Sequence, residues 1–391
     1  MQITKKTPLT NINYPWMVVW VTFLVAVAGS LIANKVSPIM PPLMKGFNIG
    51  LSQAGLLTFA VSLTSLVIAI PAGMLVQKVG VRNTGLLGLI ALIAGALLGA
   101  ATDSFWVLFI SRILEGFGVA LLTIVPPTAI ALWFAPEKSG LPMGIWSTAT
   151  PIGAFLAMAI APALEIQIGW VGVWLASAGF ALASLMVFIL LIRPNPKGKS
   201  ETSEPSFVNY RAIMANKKLW LLGLSMTMYS FSYMPVIIYY PTYLNDVFNM
   251  PLIKAGLLVG IISLVAIAGS PFLGWLSDKL NARKWIIVAG YLILIPITAL
   301  VFWIPEGWMS LAMVCAVPTL IYTAAPETVK DPGSVSLSLG VVTSLMYLGT
   351  MVSIPLFGYL VEIFGWFAAS TINVAAAVLG LVLVLMNREM K

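Results

Sequence analysis

The sequence predicts an all-α integral membrane protein, with twelve transmembrane helices in two pseudo-symmetric six-helix bundles. Three observations carry that expectation. Of 391 residues 60% are apolar and only 9% charged, with a mean hydropathy of +1.00; a soluble domain carries roughly 25% charged residues. Such a chain cannot cover a water-facing surface, so its solvent is lipid. The apolar residues gather in runs of the length that crosses a bilayer, and the second half of the chain repeats the first.

Crossing the hydrocarbon core takes about 20 apolar residues per helix. The runs Trp170–Ile192, Trp285–Ile304 and Trp366–Met386 contain no charge at all. Working outward from them gives spans at 16–41, 51–76, 83–101, 104–133, 143–163, 170–192, 219–244, 252–276, 284–304, 307–324, 335–360 and 366–387. Between the sixth and seventh lies a stretch rich in Pro, Ser, Lys and Glu, which reads as a solvated linker. The organisation is then an N-terminal bundle over 1–193, a linker over 194–218 and a C-terminal bundle over 219–391.

The charges set an orientation. Of the 21 Lys and Arg residues, Lys35 and Arg112 fall inside spans, Lys45 and Lys254 fall on the loops of one side, and the remaining 17 fall on the other side or the termini. Basic residues stay in the cytoplasm, so both termini are expected there, in a multi-pass protein of the cell membrane. The same distribution explains the net charge of +8 without a nucleic-acid partner. The first apolar run is too long for a signal-peptide core and reads as a retained span.

Several function classes are disfavoured. The chain has no histidine, which removes His-based acid–base chemistry and His metal sites. Its one cysteine, Cys315, lies in an apolar run and cannot close an internal disulfide. No ATP-binding motif and no sizeable extramembrane segment is present, so neither an enzyme nor a cofactor or metal site is expected. A membrane sensor, the alternative from a different class, would ordinarily need a signalling domain larger than this linker.

The repeat is in register. Phe47-Asn48 and Gln53-Ala-Gly-Leu-Leu57 match Phe248-Asn249 and Lys254-Ala-Gly-Leu-Leu258, and Gly73, Lys78 and Arg82 match Gly274, Lys279 and Arg283, all 201 positions apart. Two copies of one bundle follow, and paired bundles around a midplane site are a known transporter plan. Residues 73–82, Gly-Met-Leu-Val-Gln-Lys-Val-Gly-Val-Arg, resemble the loop signature of the major facilitator superfamily: Gly, three residues, Asp, a basic residue, any residue, Gly, any residue, Arg. Residues 274–283 resemble its second copy, and Arg112-Ile-Leu-Glu-Gly-Phe-Gly118 is similar to the family's arginine motif in span 4. The resemblance covers the whole chain and implies an alternating-access secondary transporter. It departs at Gln77, which replaces the signature's acid, and at Asn281, which replaces its second glycine. The family's loops help latch the halves together; the gating residues the resemblance implies are Gly73, Gln77, Arg82, Gly274, Asp278 and Arg283. Because Gln77 cannot pair ionically, the latch is expected to lean on Asp278. The competing reading of the basic residues is topology anchoring alone.

Lys35, Arg112 and Glu115 are the ionisable residues well inside spans, each costing about 2.5–3.5 kcal/mol at a helix centre on the insertion scale. Arg112 and Glu115, three apart, share a helix face and form either a structural pair or part of a site. Glu115 is the candidate for carrying a coupling proton. Lys35, beside Asn34, has no partner at helical spacing in its own span. It either snorkels to the interface or presents an uncompensated cation to a central cavity, a placement similar to the deep basic residue of the superfamily's cyanate and nitrate/nitrite carriers. At the repeat offset Lys35 maps to Val236, on one helical face with Tyr229, Tyr233 and Tyr240. That stripe either lines the same cavity or packs in the core. Gly95 and Gly99 of span 3 form a GxxxG pair that permits close helix approach.

The three intramembrane charges sum to +1, which favours an anionic substrate in a low-dielectric cavity. The sequence therefore predicts transport of a small organic or inorganic anion, gradient-driven or by exchange, by a chain expected to act as a monomer. Lys35, Asn34, Arg112, Tyr229, Tyr233 and Tyr240 are the candidate substrate contacts. Proton-coupled efflux of amphipathic compounds, or transport of a neutral metabolite, stays open. Span 5 has Gly144 and Gly153 but not the Gly-Pro pair of the family's antiporter motif, which weakens the efflux alternative.

Overall fold

A computed structural model of the chain describes residues 14–134, 140–193, 215–261, 267, 279–280, 283–302, 316–324 and 335–387. All regular structure among them is helical. Seven helical segments are long and apolar enough to cross a membrane. The helices, in chain order, are α1 (Tyr14–Asn34), α2 (Met40–Phe47), α3 (Leu51–Ala100), α4 (Phe105–Trp133), α5 (Gly140–Ser147), α6 (Ala149–Leu191), α7 (Lys217–Phe248), α8 (Leu252–Ile261), α9 (Arg283–Leu300), α10 (Ala316–Ala324) and α11 (Val335–Met386).

Three of these are too long to be single spans. A helix rises 1.5 Å per residue, so the 50 residues of α3, the 43 of α6 and the 52 of α11 would reach about 75, 65 and 78 Å. The hydrocarbon core is about 30 Å thick. Each is broken by a glycine with positive φ: Gly80 (φ 83°), Gly169 (φ 71°) and Gly365 (φ 78°). With ψ of 165° at Gly80, 173° at Gly169 and 171° at Gly365, these conformations belong to glycine alone. Each long helix is therefore two arms, and the helices fall on the positions of all twelve predicted spans, the eighth to tenth in part. Only residues 215–218 of the expected linker are described; Asn216 there caps α7, its side chain accepting from the N–H groups of Lys218 and Leu219.

The exposed surface is apolar, as lipid demands. Trp106, Leu190, Trp285 and Phe364 are each more than 60% exposed. Inside, small residues set the spacing of the helices. A Cβ on Gly95 would lie 2.7 Å from Glu115 Cγ and 2.9 Å from the Ser111 carbonyl, and one on Gly99 would collide with Trp174. The GxxxG pair thus brings the second arm of α3 against α4, as the sequence led one to expect.

The repeat survives in the backbone. Asn48 and Asn249 end their helices in the left-handed region at φ 51° and 50°, and their N–H groups close onto the carbonyls of Met44 and Leu244.

Contacts between the halves gather at the end of the bundle that carries these two asparagine turns, here called the turn end. Ser37 donates to the Ile238 carbonyl at 2.6 Å, and the Ser52 N–H donates to Glu362 Oε1 at 2.9 Å. Tyr239 donates to the Ile354 carbonyl at 2.9 Å and lies 3.5 Å from that of Leu51. Gly256 lies against the Met158 carbonyl. One apolar cluster spans both halves there, joining Val36, Leu51 and Met158 to Tyr239, Ala255 and Phe302. Toward the opposite end each half keeps a cluster of its own, Val18, Leu92 and Phe188 in one and Leu219, Ile287 and Leu320 in the other. Among the described residues the apolar packing is shared at the turn end and separate toward the other.

Candidate functional site

The site begins where α1 stops. Pro38 has no N–H to offer the Asn34 carbonyl, and Pro41 and Pro42 follow, so the helix ends at Asn34 and passes through a 3₁₀ turn, Ser37–Ile39, before α2. This break, inside the expected span 16–41, leaves the last carbonyls of α1 without helical donors. Arg112 of α4 supplies them. Its Nη1 donates to the Ile32 carbonyl and its Nη2 to that of Ala33, both at 2.9 Å, while Nε reaches the Leu57 carbonyl of α3 at 3.2 Å. A cation at a helix C-terminus is also favoured by the helix dipole.

Lys35 lies at the same break. Its Nζ donates to Glu115 Oε1 at 2.7 Å and to Ser177 Oγ at 2.9 Å, and sits 4.3 Å from the ring centroid of Trp174. The other Glu115 oxygen, Oε2, accepts from Arg112 Nη1. All three charged side chains are fully buried. One carboxylate is thus gripped by two cations, one on each oxygen, with α1, α3, α4 and α6 all contributing.

This corrects the expectation that Lys35 is an uncompensated cation open to a cavity. Its counter-ion comes from α4, 80 positions away in sequence, which a search for partners at helical spacing cannot find. Lys35 neither snorkels to the surface nor faces a space between the halves in this conformation. The Arg112–Glu115 pair forms as its spacing predicts.

The other predicted residues are dispersed. Asn34 spends its amide on the Ser30 carbonyl at 2.8 Å, one turn back in its own helix. Tyr229 stacks on Tyr233 with centroids 5.3 Å apart and joins the cluster of the second half, whereas Tyr240 is buried beside Tyr243 and Phe302 in the shared cluster. The Tyr240 hydroxyl has no hydrogen-bond partner among the described residues. Tyr239, one position off the stripe, reaches the other half, its hydroxyl 3.5 Å from the Leu51 carbonyl. Ser177 and Trp174 were not foreseen either; both belong to a charge-free span, and only their placement against Lys35 marks them.

Of the gating residues, Arg82 donates from Nε to the Ile192 carbonyl at 3.0 Å, an anchor within the first half. Gly73 and Gln77 lie on α3, and Arg283 opens α9; Gly274 and Asp278 lie outside the described residues.

Apolar helices of membrane-crossing length packed around a fully buried ion cluster define a polytopic membrane protein. The sequence profile of the Major Facilitator Superfamily matches residues 18–325, and the chain belongs to that family. It is 26% identical over 263 residues to the probable nitrate transporter NarT of Staphylococcus epidermidis, covering 67% of this chain and 66% of that one. It is 24% identical over 284 residues to the cyanate transport protein CynX of Escherichia coli, covering 72% of each. The matches thus span only about two thirds to three quarters of those relatives' length. Among solved structures, a bacterial homologue of the human lysosomal transporter Spinster, in an inward-facing and occupied conformation, superposes with a TM-score of 0.79 at 18% identity, covering 97% of this chain and 98% of that one.

Proposed function

We propose that the chain is a secondary transporter that moves a small anion across the cell membrane by alternating access, with both termini cytoplasmic. In that orientation the joined turn end faces outward, and the conformation described is closed to the outside. The observation that carries the reading is the fully buried Lys35–Glu115–Arg112 cluster, whose formal charges sum to +1. A positive excess in a low-dielectric interior attracts an anion far more strongly than it would in water. The names of two relatives, a nitrate and a cyanate transporter, point to the same class. Glu115, the carboxylate of that cluster, is the candidate to carry a coupling proton. The second half, with its stacked tyrosines and no buried charge among the described residues, is what favours the neutral-metabolite alternative.

Uptake by purified protein in liposomes tests the reading. Nitrate, nitrite, formate and cyanate are offered with a pH gradient, beside a neutral sugar. Accumulation of at least one anion, and not of the sugar, is expected. Uptake of the sugar alone overturns it.

A further inference from the structure

The two cations of the cluster are held by more than Glu115. Arg112 keeps three backbone carbonyls, those of Leu57, Ile32 and Ala33, and Lys35 keeps Ser177 Oγ and the face of Trp174. Were the carboxylate to leave, Nζ of Lys35 and Nη1 of Arg112 would stay where they are. The vacated seat would be a two-pronged slot shaped for a planar group that presents one oxygen to each prong. Lys35 and Arg112 are the charged groups that face Glu115 among the described residues. The second arm of α3 packs Gly95 directly against it, where an added Cβ would lie 2.7 Å from Glu115 Cγ, and α6 offers Ser177 and Trp174.

We infer that the Glu115 carboxylate sits in the seat of the transported anion, and that the substrate is a planar monoanion with two adjacent oxygens, a carboxylate, nitrite or nitrate. This rests on the anion reading above and adds the mechanism of exchange. With Glu115 ionised, Lys35, Arg112 and Glu115 sum to +1. A hydronium ion gives up a proton, one of its O–H bonds breaking to leave water as an O–H bond forms on one Glu115 oxygen; the neutral acid gives up both ion pairs, and the anion takes its place. Lys35 and Arg112 then contribute +2, the acid 0 and the anion −1, again +1. The dry interior holds the same charge before and after, so neither step adds a desolvation penalty for net charge. One proton accompanies one anion, and the cycle moves no net charge.

Three measurements in liposomes and detergent decide it. In wild type, pH-driven nitrate or formate uptake is expected to be unchanged by a potassium diffusion potential; uptake that follows the potential overturns the one-proton-to-one-anion coupling. Glu115→Gln, which mimics the neutral acid, is expected to lose pH-driven accumulation yet retain measurable nitrate counterflow, and to bind nitrate at alkaline pH at least about tenfold tighter than wild type, roughly 1.4 kcal/mol. Accumulation equal to wild type, or a monodisperse variant that no longer binds nitrate, makes Glu115 a fixed counter-ion. Glu115→Ala covers the case of poor folding. Formate, filling the slot, is expected to raise its melting temperature above that in chloride at equal ionic strength; equal melting in both overturns the seat. Wild-type vesicles that carry cyanate but neither nitrate, nitrite nor formate would overturn the planar class alone. Vesicles that carry no anion would overturn the anion reading together with this one.

Discussion

The two halves share a backbone plan and differ in what they bury at matching places. Asn48 and Asn249 turn alike. Gly169-Trp170 and Gly365-Trp366, 196 positions apart, open matching arms of α6 and α11. On the 201 offset Lys35 falls on Val236, and on the 196 offset Ser177 falls on Asn373. In the first half that pair is a lysine held by a serine. In the second the matching positions hold a valine and an asparagine, and the two side-chain amide atoms of that asparagine find no partner among the described residues. The Ser232, Tyr240 and Thr242 side-chain oxygens of α7 are in the same condition. Among the described residues, the buried charges lie in the first half, and six of the eight buried side-chain atoms without a partner lie in the second, the other two being Ser65 Oγ and Trp174 Nε1. The fold supplies the symmetry, and a few buried side chains break it.

The comparison can be broken most forcefully at Arg112. Removing one member of a buried ion pair costs about 3–5 kcal/mol, and here three backbone carbonyls lose their donor as well. Arg112→Ala is expected to collapse the yield of monodisperse protein, read by size-exclusion chromatography. A stable, well-behaved variant would show that the cluster is not part of what holds the first half together.

Gly95→Ala comes next. Its Cβ would meet Glu115 and Ser111 below 3 Å, and overpacking of this kind costs about 1–3 kcal/mol. Gly179 of α6 serves as control, because a Cβ there meets nothing within 4 Å; Gly179→Ala is expected to be neutral or to stabilise by about 0.5–1 kcal/mol. Thermal melts of the two variants, moving in opposite directions, check this.

At the turn end, Glu362 accepts the Ser52 N–H at the start of α3, across the halves. The residue is exposed, so Glu362→Gln should weaken the seal by no more than about 1 kcal/mol. A single cysteine placed at the turn end is expected to label faster from the outside in that variant; an unaltered labelling rate would mean the bond does not bias the gate. Smallest of all is Asn373→Leu. If solute handling sits in the first half, nitrate affinity should stay within about threefold, some 0.7 kcal/mol. A larger loss would bring the second half into the site.

Much of the fold was legible in the sequence because lipid imposes simple rules. Span length and the 201-residue repeat each read out from one dimension, and the GxxxG pair packed as its spacing said. The three hairpin glycines were less visible: only the recurrence of Gly-Trp at 169 and 365 hints at two of them. The site was legible as a set of residue types but not as a constellation. Spacing rules find Glu115 for Arg112 because both ride one helix. They cannot find Glu115 for Lys35, which depends on how α1 breaks at Pro38 and how closely Gly95 lets α3 approach α4. Tyr239 escaped for a similar reason. Near a helix end, which tyrosine faces the other half depends on the crossing of α7 with α3 and α11, not on the period of the stripe.

The central claim is that the buried cluster of the first half is where the anion is held. Lys35→Ala tests it most directly, because Glu115 keeps Arg112 as a partner and the three-residue charge falls from +1 to 0. Monodisperse Lys35→Ala protein in liposomes is expected to show no pH-driven nitrate or formate uptake above protein-free vesicles, with Lys35→Arg retaining part of it, since charge survives while geometry changes. Wild-type uptake by well-folded Lys35→Ala would contradict the account.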